Sequence, residues 1–393
     1  MKICEKCAGC RACEMACPVK AITMVEDEEG FRQPKIDENV CVSCGLCEKI
    51  CPQSNRIQIE MLKPQAAYAA QLSDENVLMT STSGGVFAAL AQDVFAVGGV
   101  VFGVKMDENQ RAVHCMTDDI SQLSSIRGSK YVASDTADTY RRAKEKLDSG
   151  VQVLYSGCPC QIAGLRAFLR KDYPNLLTVD VICHGAPSQK LFDVYRKGLE
   201  KKQGQVRDYL FRDKSRYGWG VYWSYVNASG KKKTGGIHDN PYCSAFIDNT
   251  ANGECCYECR YVGLENRVGD ITLGDYWSVD RVHPEMASNK GVSAVICNTE
   301  VGRKWAERAL EKCRFVPSSA EIIGKYNPSL MEASIRPQVR DTIYKGIDSK
   351  SPEAFVKENL HIPMKKYIKT KIRLKIPYGA RVRIKKLKAL IKG

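Results

Sequence analysis

The chain has 393 residues, 44% hydrophobic and 26% charged, the balance of an ordinary folded protein with two or three cores at about 150 residues each. Its longest near-continuous apolar run, Val94 to Val104, falls short of the about 20 residues that a membrane-spanning helix needs. The net charge of +14 sits mostly at one end: His361 to Gly393 holds 12 Lys and Arg and no acidic residue, leaving the preceding 360 residues at +2.

Residues 1–20 lack the charged-then-apolar order of a signal peptide and are rich in cysteine, so a cytoplasmic protein is expected. Nineteen cysteines in such a chain do not suggest disulfides, because a reducing cytoplasm keeps thiols free and clusters of them there bind metals or catalyse. Cys7-Ala-Gly-Cys10-Arg-Ala-Cys13-Glu-Met-Ala-Cys17-Pro18 recurs 34 residues later as Cys41-Val-Ser-Cys44-Gly-Leu-Cys47-Glu-Lys-Ile-Cys51-Pro52. The spacing C-x2-C-x2-C-x3-C-P is the bacterial ferredoxin run for 4Fe-4S clusters, and with two runs the fourth cysteine of each serves the other cluster. The expected ligand sets are therefore Cys7, Cys10, Cys13 and Cys51, and Cys41, Cys44, Cys47 and Cys17. Gly9 and Gly45 let the backbone approach the sulfides, and Pro18 and Pro52 fix the chain leaving each site. Zinc sites use C-x2-C pairs set further apart, which argues against zinc. Cys4 is expected to be a spare or a cap. Two adjacent clusters with nothing catalytic around them are an electron relay.

Between the runs, Ala21–Met24 reads as a strand, Glu28-Glu29-Gly30 as a turn and Phe31–Ile36 as the return strand. A linker is expected at Met61–Gln65. Beyond it, helices are predicted over Val86–Val97, Thr136–Leu147, Gln161–Arg170 and Gln189–Lys201, alternating with strands over Val100–Val104, Val151–Tyr155 and Leu176–Cys183. Arg207–Ala228 turns to a β pattern at Tyr209–Phe211 and Val221–Val226. Asp270–Trp277 and Ser293–Cys297 add strands, and Glu300–Cys313 a helix. The expected fold class is α+β or α/β: a bacterial-ferredoxin-like domain over 1–62, then an α/β body with a mixed sheet. The body divides by expectation into 66–150 and 151–325, followed by an extension with a basic tail over 326–393.

Thr80-Ser81-Thr82-Ser83-Gly84-Gly85 leads directly into an apolar helix, a favourable phosphate site but equally a plain N-cap. Arg127-Gly128-Ser129-Lys130-Tyr131 offers cations for the same phosphate. Ser156–Leu165, with Cys158 and Cys160, and Asp180–Ser188, with Cys183 and His184, each lie between a strand end and a helix start, where ligands collect in open α/β sheets. Cys160, Cys183, Cys256 and Cys259 could converge on a third cluster; by spacing alone, inert buried cysteines are an equal alternative. Cys158 could replace Cys160, or pair with it as a redox couple, and Cys255 could replace Cys256. Cys115, Cys243, Cys297 and Cys313 look like single core or surface thiols. No catalytic residue is assigned; His184, in its Gly- and Pro-containing loop, is the weak candidate.

TSTSGGVFAALA (80–91), RGSKYV (127–132), YSGCPCQIAGL (155–165), DVICHGAPS (180–188), CYEC (256–259) and RVGDITLGDYW (267–277) together resemble the coenzyme F-420 hydrogenase/dehydrogenase beta-subunit family. The likeness covers about residues 1–300, with the ferredoxin run in front as in bacterial members that accompany polysaccharide-synthesis enzymes. It implies an iron–sulfur flavoprotein in which FAD links the clusters to a two-electron partner, with coenzyme F-420 a candidate substrate although no residue identifies a deazaflavin pocket. It places Thr82, Ser83, Gly84, Gly85, Arg127, Gly128, Ser129 and Lys130 near the flavin. The expected activity is an oxidoreductase; the alternatives are a non-catalytic electron-transfer subunit of a partner enzyme and a structural iron–sulfur protein. A ferredoxin-like or other redox protein and an unidentified small molecule are the expected partners.

The tail, Met364–Lys392, interleaves Ile368, Ile372, Leu374, Ile384, Leu387 and Leu390 with Lys and Arg, broken by Pro377 and Gly379. Two basic amphipathic segments of this kind fit the anionic inner face of a membrane. Nucleic acid is not an expected partner, because Tyr367 and Tyr378 are the only aromatics.

Overall fold

The computed structural model describes residues 3–54, 59–377 and 379–381. Thirteen strands are found among them: β1 (Ile22–Glu26), β2 (Arg32–Ile36), β3 (Ala66–Leu72), β4 (Val100–Met106), β5 (Ala112–Thr117), β6 (Val153–Gly157), β7 (Leu176–Val181), β8 (Arg207–Leu210), β9 (Tyr222–Val226), β10 (Lys232–Gly236), β11 (Ile271–Asp275), β12 (Ser293–Cys297) and β13 (Cys313–Ser318). They form the front hairpin β1–β2, a three-stranded sheet β10-β9-β8, and an eight-stranded sheet in the order β13-β3-β12-β11-β7-β6-β4-β5. The large sheet is mixed. β4, β6, β7 and β11 run parallel at its centre, and the β4–β5, β11–β12, β12–β3 and β3–β13 pairs are antiparallel.

The central strands read as apolar runs because helices cover both their faces. Leu154, Leu177, Val179 and Leu273 pack against the helices Val86–Ala96 and Glu300–Leu310. Val153 and Tyr155 point the other way, against Thr139–Asp148 and Pro159–Leu169. The front domain docks on that second layer: Cys10, Ala12, Met15 and Ile50 share a core with Ile162, Ala163 and Leu165. Arg11 donates to both carboxylate oxygens of Asp135 at 2.5 and 2.9 Å, and Arg141 donates to the Met15 carbonyl at 2.7 Å. A third core of stacked and edge-on aromatics, with Phe192, Tyr209 and Tyr242 at its centre, supports the small sheet.

Several elements depart from the periodicity. The helix expected to run to Cys313 stops at Leu310, and Cys313 instead opens β13. β13 lies at the sheet edge, where Pro317 removes no ladder hydrogen bond that a neighbour needs. β3, β5, β10 and β13 are not distinguished by their patterns. The segment at Met61–Gln65 is not a free linker, since Leu62 pairs with Arg267 through backbone hydrogen bonds of 2.8 and 3.2 Å. The large sheet takes strands from both sides of residue 150. Among the described residues no helix is long and apolar enough to cross a membrane.

Candidate metal and cofactor centres

The two front runs fold as one backbone motif used twice. Gly9 and Arg11 have φ of +67° and +60°, and their counterparts 34 residues on, Ser43 and Gly45, have +54° and +68°. These left-handed residues turn the chain between successive cysteines. Each run then enters a short helix, Ala12–Ala16 or Leu46–Lys49. One turn position per run is not glycine, so Arg11 and Ser43 each hold a conformation costing an L-residue about 1–2 kcal/mol.

The expected second ligand set lines one cavity: Cys17, Cys41, Cys44 and Cys47 ring it together with Pro18, Ile22 and Ile36. The other set gathers as well, with Cys13 in electrostatic reach of Cys10, Cys7 and Cys51. Burial pushes the Cys10 thiol up to about 12 and Cys13 higher. Cys51 is held down to about 6, chiefly by a hydrogen bond from Cys4, which also bonds Cys7. Cys4 thus touches two of the expected ligands. Crowded thiols, two of them held up by burial and two held down by hydrogen bonds from Cys4, suit a cationic metal core, which deprotonates its ligands outright.

The body cysteines come from three separated segments. Cys158 caps the helix Pro159–Leu169 after β6, Cys183 follows β7 by two residues, and Cys255, Cys256 and Cys259 lie around the short helix Glu254–Tyr257. Cys160 is in electrostatic reach of Cys183, Cys256, Cys259 and Cys10. Cys158 and Cys183 share a hydrogen bond at 3.8 Å, and Cys255 bonds Cys256. The Gly185 amide also donates to Cys183 Sγ at 3.4 Å, and the bond shared with Cys158 lowers the Cys183 thiol to about 7. The predicted four are therefore within electrostatic reach of one another, and the two alternatives, Cys158 and Cys255, adjoin them, but among the described residues no three or more of the side chains are set as metal ligands.

A buried ion pair holds these segments in register. Arg267 donates to Asp180 at 2.5 Å, to the Tyr261 carbonyl at 2.7 Å and to Thr272 Oγ1 at 3.1 Å, while the Gly269 amide donates to Asp180 at 2.9 Å. Both partners are at most 1% exposed. β7, which leads to Cys183, is thereby tied to the chain that follows Cys259. The front and body groups also adjoin. A Cβ on Gly164 would lie 3.0 Å from Cys10 Sγ, Cys255 is in electrostatic reach of Cys7, and Lys6 pairs with Glu258.

The two stretches expected near a flavin meet, because the Ser129 amide donates to Thr82 Oγ1 at 2.7 Å. Other members of the first stretch are used structurally. Ser81 and Ser83 donate to the Val77 and Val292 carbonyls at 2.7 Å, and a Cβ on Gly84 would sit 2.1 Å from the Ala70 carbonyl. Gly85 opens the helix at φ +84°. Lys130 donates to the Arg127 carbonyl at 2.9 Å, and burial lowers its ammonium to about 7; the buried Nε of Arg127 has no partner among the described residues.

Sequence reasoning missed a polar cluster at the same sheet edge. Arg212 donates to Asp275 at 2.7 and 3.0 Å and to Tyr131 Oη at 2.8 Å, lying 5.6 Å from the Trp277 ring centre. Trp219 donates to Asp275 at 2.7 Å and stacks on Trp277. Lys214 donates to the Leu78 and Ser83 carbonyls at 2.9 and 2.6 Å and to that of Lys290; burial lowers it to about 7. The available signal was the Asp275-Tyr-Trp277 end of the 267–277 motif. His184 does not touch this cluster directly. It packs 5.0 Å from the Phe246 ring, which stacks at 4.1 Å on Tyr131.

Residues 150–321 match the family described as the C terminus of the coenzyme F420 hydrogenase/dehydrogenase beta subunit, and residues 6–55 match the 4Fe-4S dicluster domain. A subunit of the F(420)H(2) dehydrogenase of Methanosarcina mazei is 24% identical over 82% of this chain and 88% of its own. The coenzyme F420-dependent sulfite reductase of Methanocaldococcus jannaschii is 27% identical over 76% of this chain and 45% of its own length. A chain of the F420-reducing [NiFe] hydrogenase complex from Methanosarcina barkeri superposes with a TM-score of 0.46 at 18% identity, covering 78% of this chain and 99% of that one.

Proposed function

We propose that this chain, an iron–sulfur electron-transfer oxidoreductase subunit joining a 4Fe-4S dicluster domain to the C-terminal part of a coenzyme F420 hydrogenase/dehydrogenase beta subunit, relays electrons between front clusters and a flavin in its α/β body. The observation that carries this reading is the adjacency of the thiol groups: Cys17 and Cys47 pack with Cys13 and Cys51, Cys13 is in electrostatic reach of Cys10, and Cys160 is in reach of both Cys10 and Cys183. Cys7, Cys10, Cys13 and Cys51 hold one cluster, and Cys41, Cys44, Cys47 and Cys17 the second. Cys160, Cys183, Cys256 and Cys259 hold a third, with Cys158 and Cys255 as neighbours that tune its charge.

FAD is placed against the joined stretches Thr82–Gly85 and Arg127–Lys130, where it would convert one-electron into two-electron transfer. Lys130 and Arg127 supply cations to its phosphates. Lys214 fixes the Ser83 turn, and Arg212 with Asp275 holds Tyr131 and the Trp219–Trp277 stack at the site's wall. The stack from His184 through Phe246 to Tyr131 joins the Cys183 loop to that wall and excludes water between them. His184 positions this stack and has no assigned proton.

The names of the two curated relatives make coenzyme F420 the favoured two-electron substrate, and the first relative's being a subunit favours a redox protein as partner. That same subunit status supports a second reading, in which the chain has no turnover alone and serves a partner enzyme, one of polysaccharide synthesis included. Anaerobic purification with iron, sulfide and flavin analysis tests the proposal. About twelve irons, matching sulfide and one FAD per chain are expected. A cluster-loaded chain that holds no FAD even when supplied with it overturns it, and turnover of F420 by the isolated chain separates the two readings.

A further inference from the structure

The helix Met364–Lys375 carries six Lys or Arg and no acidic residue, yet it is docked on the body rather than extended from it. Thr370, its buried residue, packs so closely on Gly236 that a Cβ there would lie 2.6 Å from the threonine methyl. Lys366 donates to Asp248 at 2.6 Å and Lys371 to Asp239 at 3.2 Å. Beyond the helix, Arg381 donates to the Tyr217 carbonyl at 3.0 Å and to Tyr222 Oη. These contacts fix which face of the helix looks inward.

The outward face is apolar at its centre. Met364, Ile368 and Ile372, spaced at successive turns, are 67%, 50% and 56% exposed. Lys365 and Lys369 flank this stripe on one side and Lys371, which also reaches Asp239, on the other, all exposed. We propose that this face docks on the anionic surface of a lipid bilayer, with the three aliphatic side chains entering the headgroup boundary and the lysines reaching lipid phosphates. An aliphatic stripe with cations on both flanks combines the two terms that hold an interfacial helix, and lysine stems are long enough to keep their charge in the polar layer. Three side chains on one helix fall well short of the ~800 Å² per partner of a stable protein interface. The helix's one aromatic, Tyr367, lies beneath the Lys371 ammonium, 5.3 Å from its ring centre, which removes it as a base-stacking surface. The second predicted basic segment lies mostly outside the described residues and is not part of this face.

The test is co-sedimentation of the anaerobically purified full chain with vesicles of mixed phosphatidylglycerol and phosphatidylcholine, against phosphatidylcholine alone. Partition should favour the anionic vesicles and fall in 1 M salt. Each basic residue near such a surface is worth about fivefold, so Lys365→Gln with Lys369→Gln should weaken partition about 30-fold. Ile368→Ser with Ile372→Ser should weaken it about tenfold or more. Unchanged iron content and visible spectrum show that both variants keep the fold. Partition equal to the parent in both pairs overturns the proposal, as does equal partition on neutral vesicles. Sedimentation without vesicles that the isoleucine pair abolishes also overturns it, because a second copy then covers the stripe.

Discussion

Each proposed front ligand set is drawn from residues 7–17 and 41–51, where left-handed residues at positions 9, 11, 43 and 45 turn the chain between successive cysteines. The body group instead collects thiols from 158–160, 183 and 255–259, segments that meet only because β6 and β7 are adjacent and Arg267 ties Asp180 to the later chain. The first arrangement depends on short-range backbone geometry and the second on the whole sheet. The difference is one of vulnerability: damage to the sheet should disperse the body thiols while the front turns stay intact.

Removing the tie should therefore separate the two regions most strongly. Arg267→Ala leaves Asp180 as an unpaired charge at 0% exposure, which costs about 3–5 kcal/mol. Anaerobic guanidinium unfolding should show that loss, with iron falling from about twelve toward eight while the front-cluster signal persists. Replacing both partners by apolar residues, Arg267→Met with Asp180→Leu, should recover most of the stability. Full iron retention in Arg267→Ala would sink the claim that the pair holds the body group.

Cysteine exchanges sharpen the same contrast without touching the sheet. Cys183→Ser with Cys259→Ser should lose about four irons and keep the front signal; Cys17→Ser with Cys47→Ser should lose about four and keep the body signal. Unchanged iron in the first pair would falsify the third cluster.

The asymmetry between the regions is also one of legibility. The front turns are legible residue by residue because their spacing carries their geometry, although the repeat hides one detail: glycine fills a different turn position in each run. The body yielded its alternating strands and helices, since β6 and β7 are largely apolar runs, but edge strands such as β13, with Arg314 and Pro317, have too weak a pattern. That Cys158, Cys160, Cys183, Cys255 and Cys256 meet was not legible, because their meeting depends on long-range packing such as the Arg267–Asp180 pair, 87 residues apart. Gly84 carries two demands that composition does not separate. It suits a phosphate cradle by composition, and a Cβ there would meet the Ser293 amide at 2.5 Å, so close strand packing also requires glycine.

Acid should weaken the body through a group the front lacks. His114 is 4% exposed beneath Tyr155, and burial lowers its imidazole from 6.5 to about 4. Between those values the unfolded chain binds the proton and the folded chain does not, so stability rises with pH. The contribution is complete above about 6.5 and lost as pH falls to about 4, roughly 3 kcal/mol in all. His114→Phe should flatten the unfolding profile over that window. An unaltered slope would show that the ring is not the group responsible.

The smallest expected effect on stability probes the seam between the regions. Gly164 lies inside the helix Pro159–Leu169, where glycine costs about 0.5–1 kcal/mol relative to alanine. What keeps it there is proximity: a Cβ would meet Tyr140 Oη at 2.8 Å and Cys10 Cβ and Sγ at 3.0 Å. Tyr140 cannot easily yield, since it is buried and donates to the Gln161 carbonyl at 2.7 Å. Overpacking of this kind costs about 1–3 kcal/mol, and the gain in helix propensity offsets about 1, so Gly164→Ala should destabilise by no more than about 2 kcal/mol. Its larger consequence is kinetic, because Cys10 must move away from the helix that carries Cys160. Rapid-mixing reduction should then show front clusters reduced at the parent rate and body centres reduced more slowly. If the body centres follow at the parent rate, electrons do not cross at the Cys10–Gly164 contact.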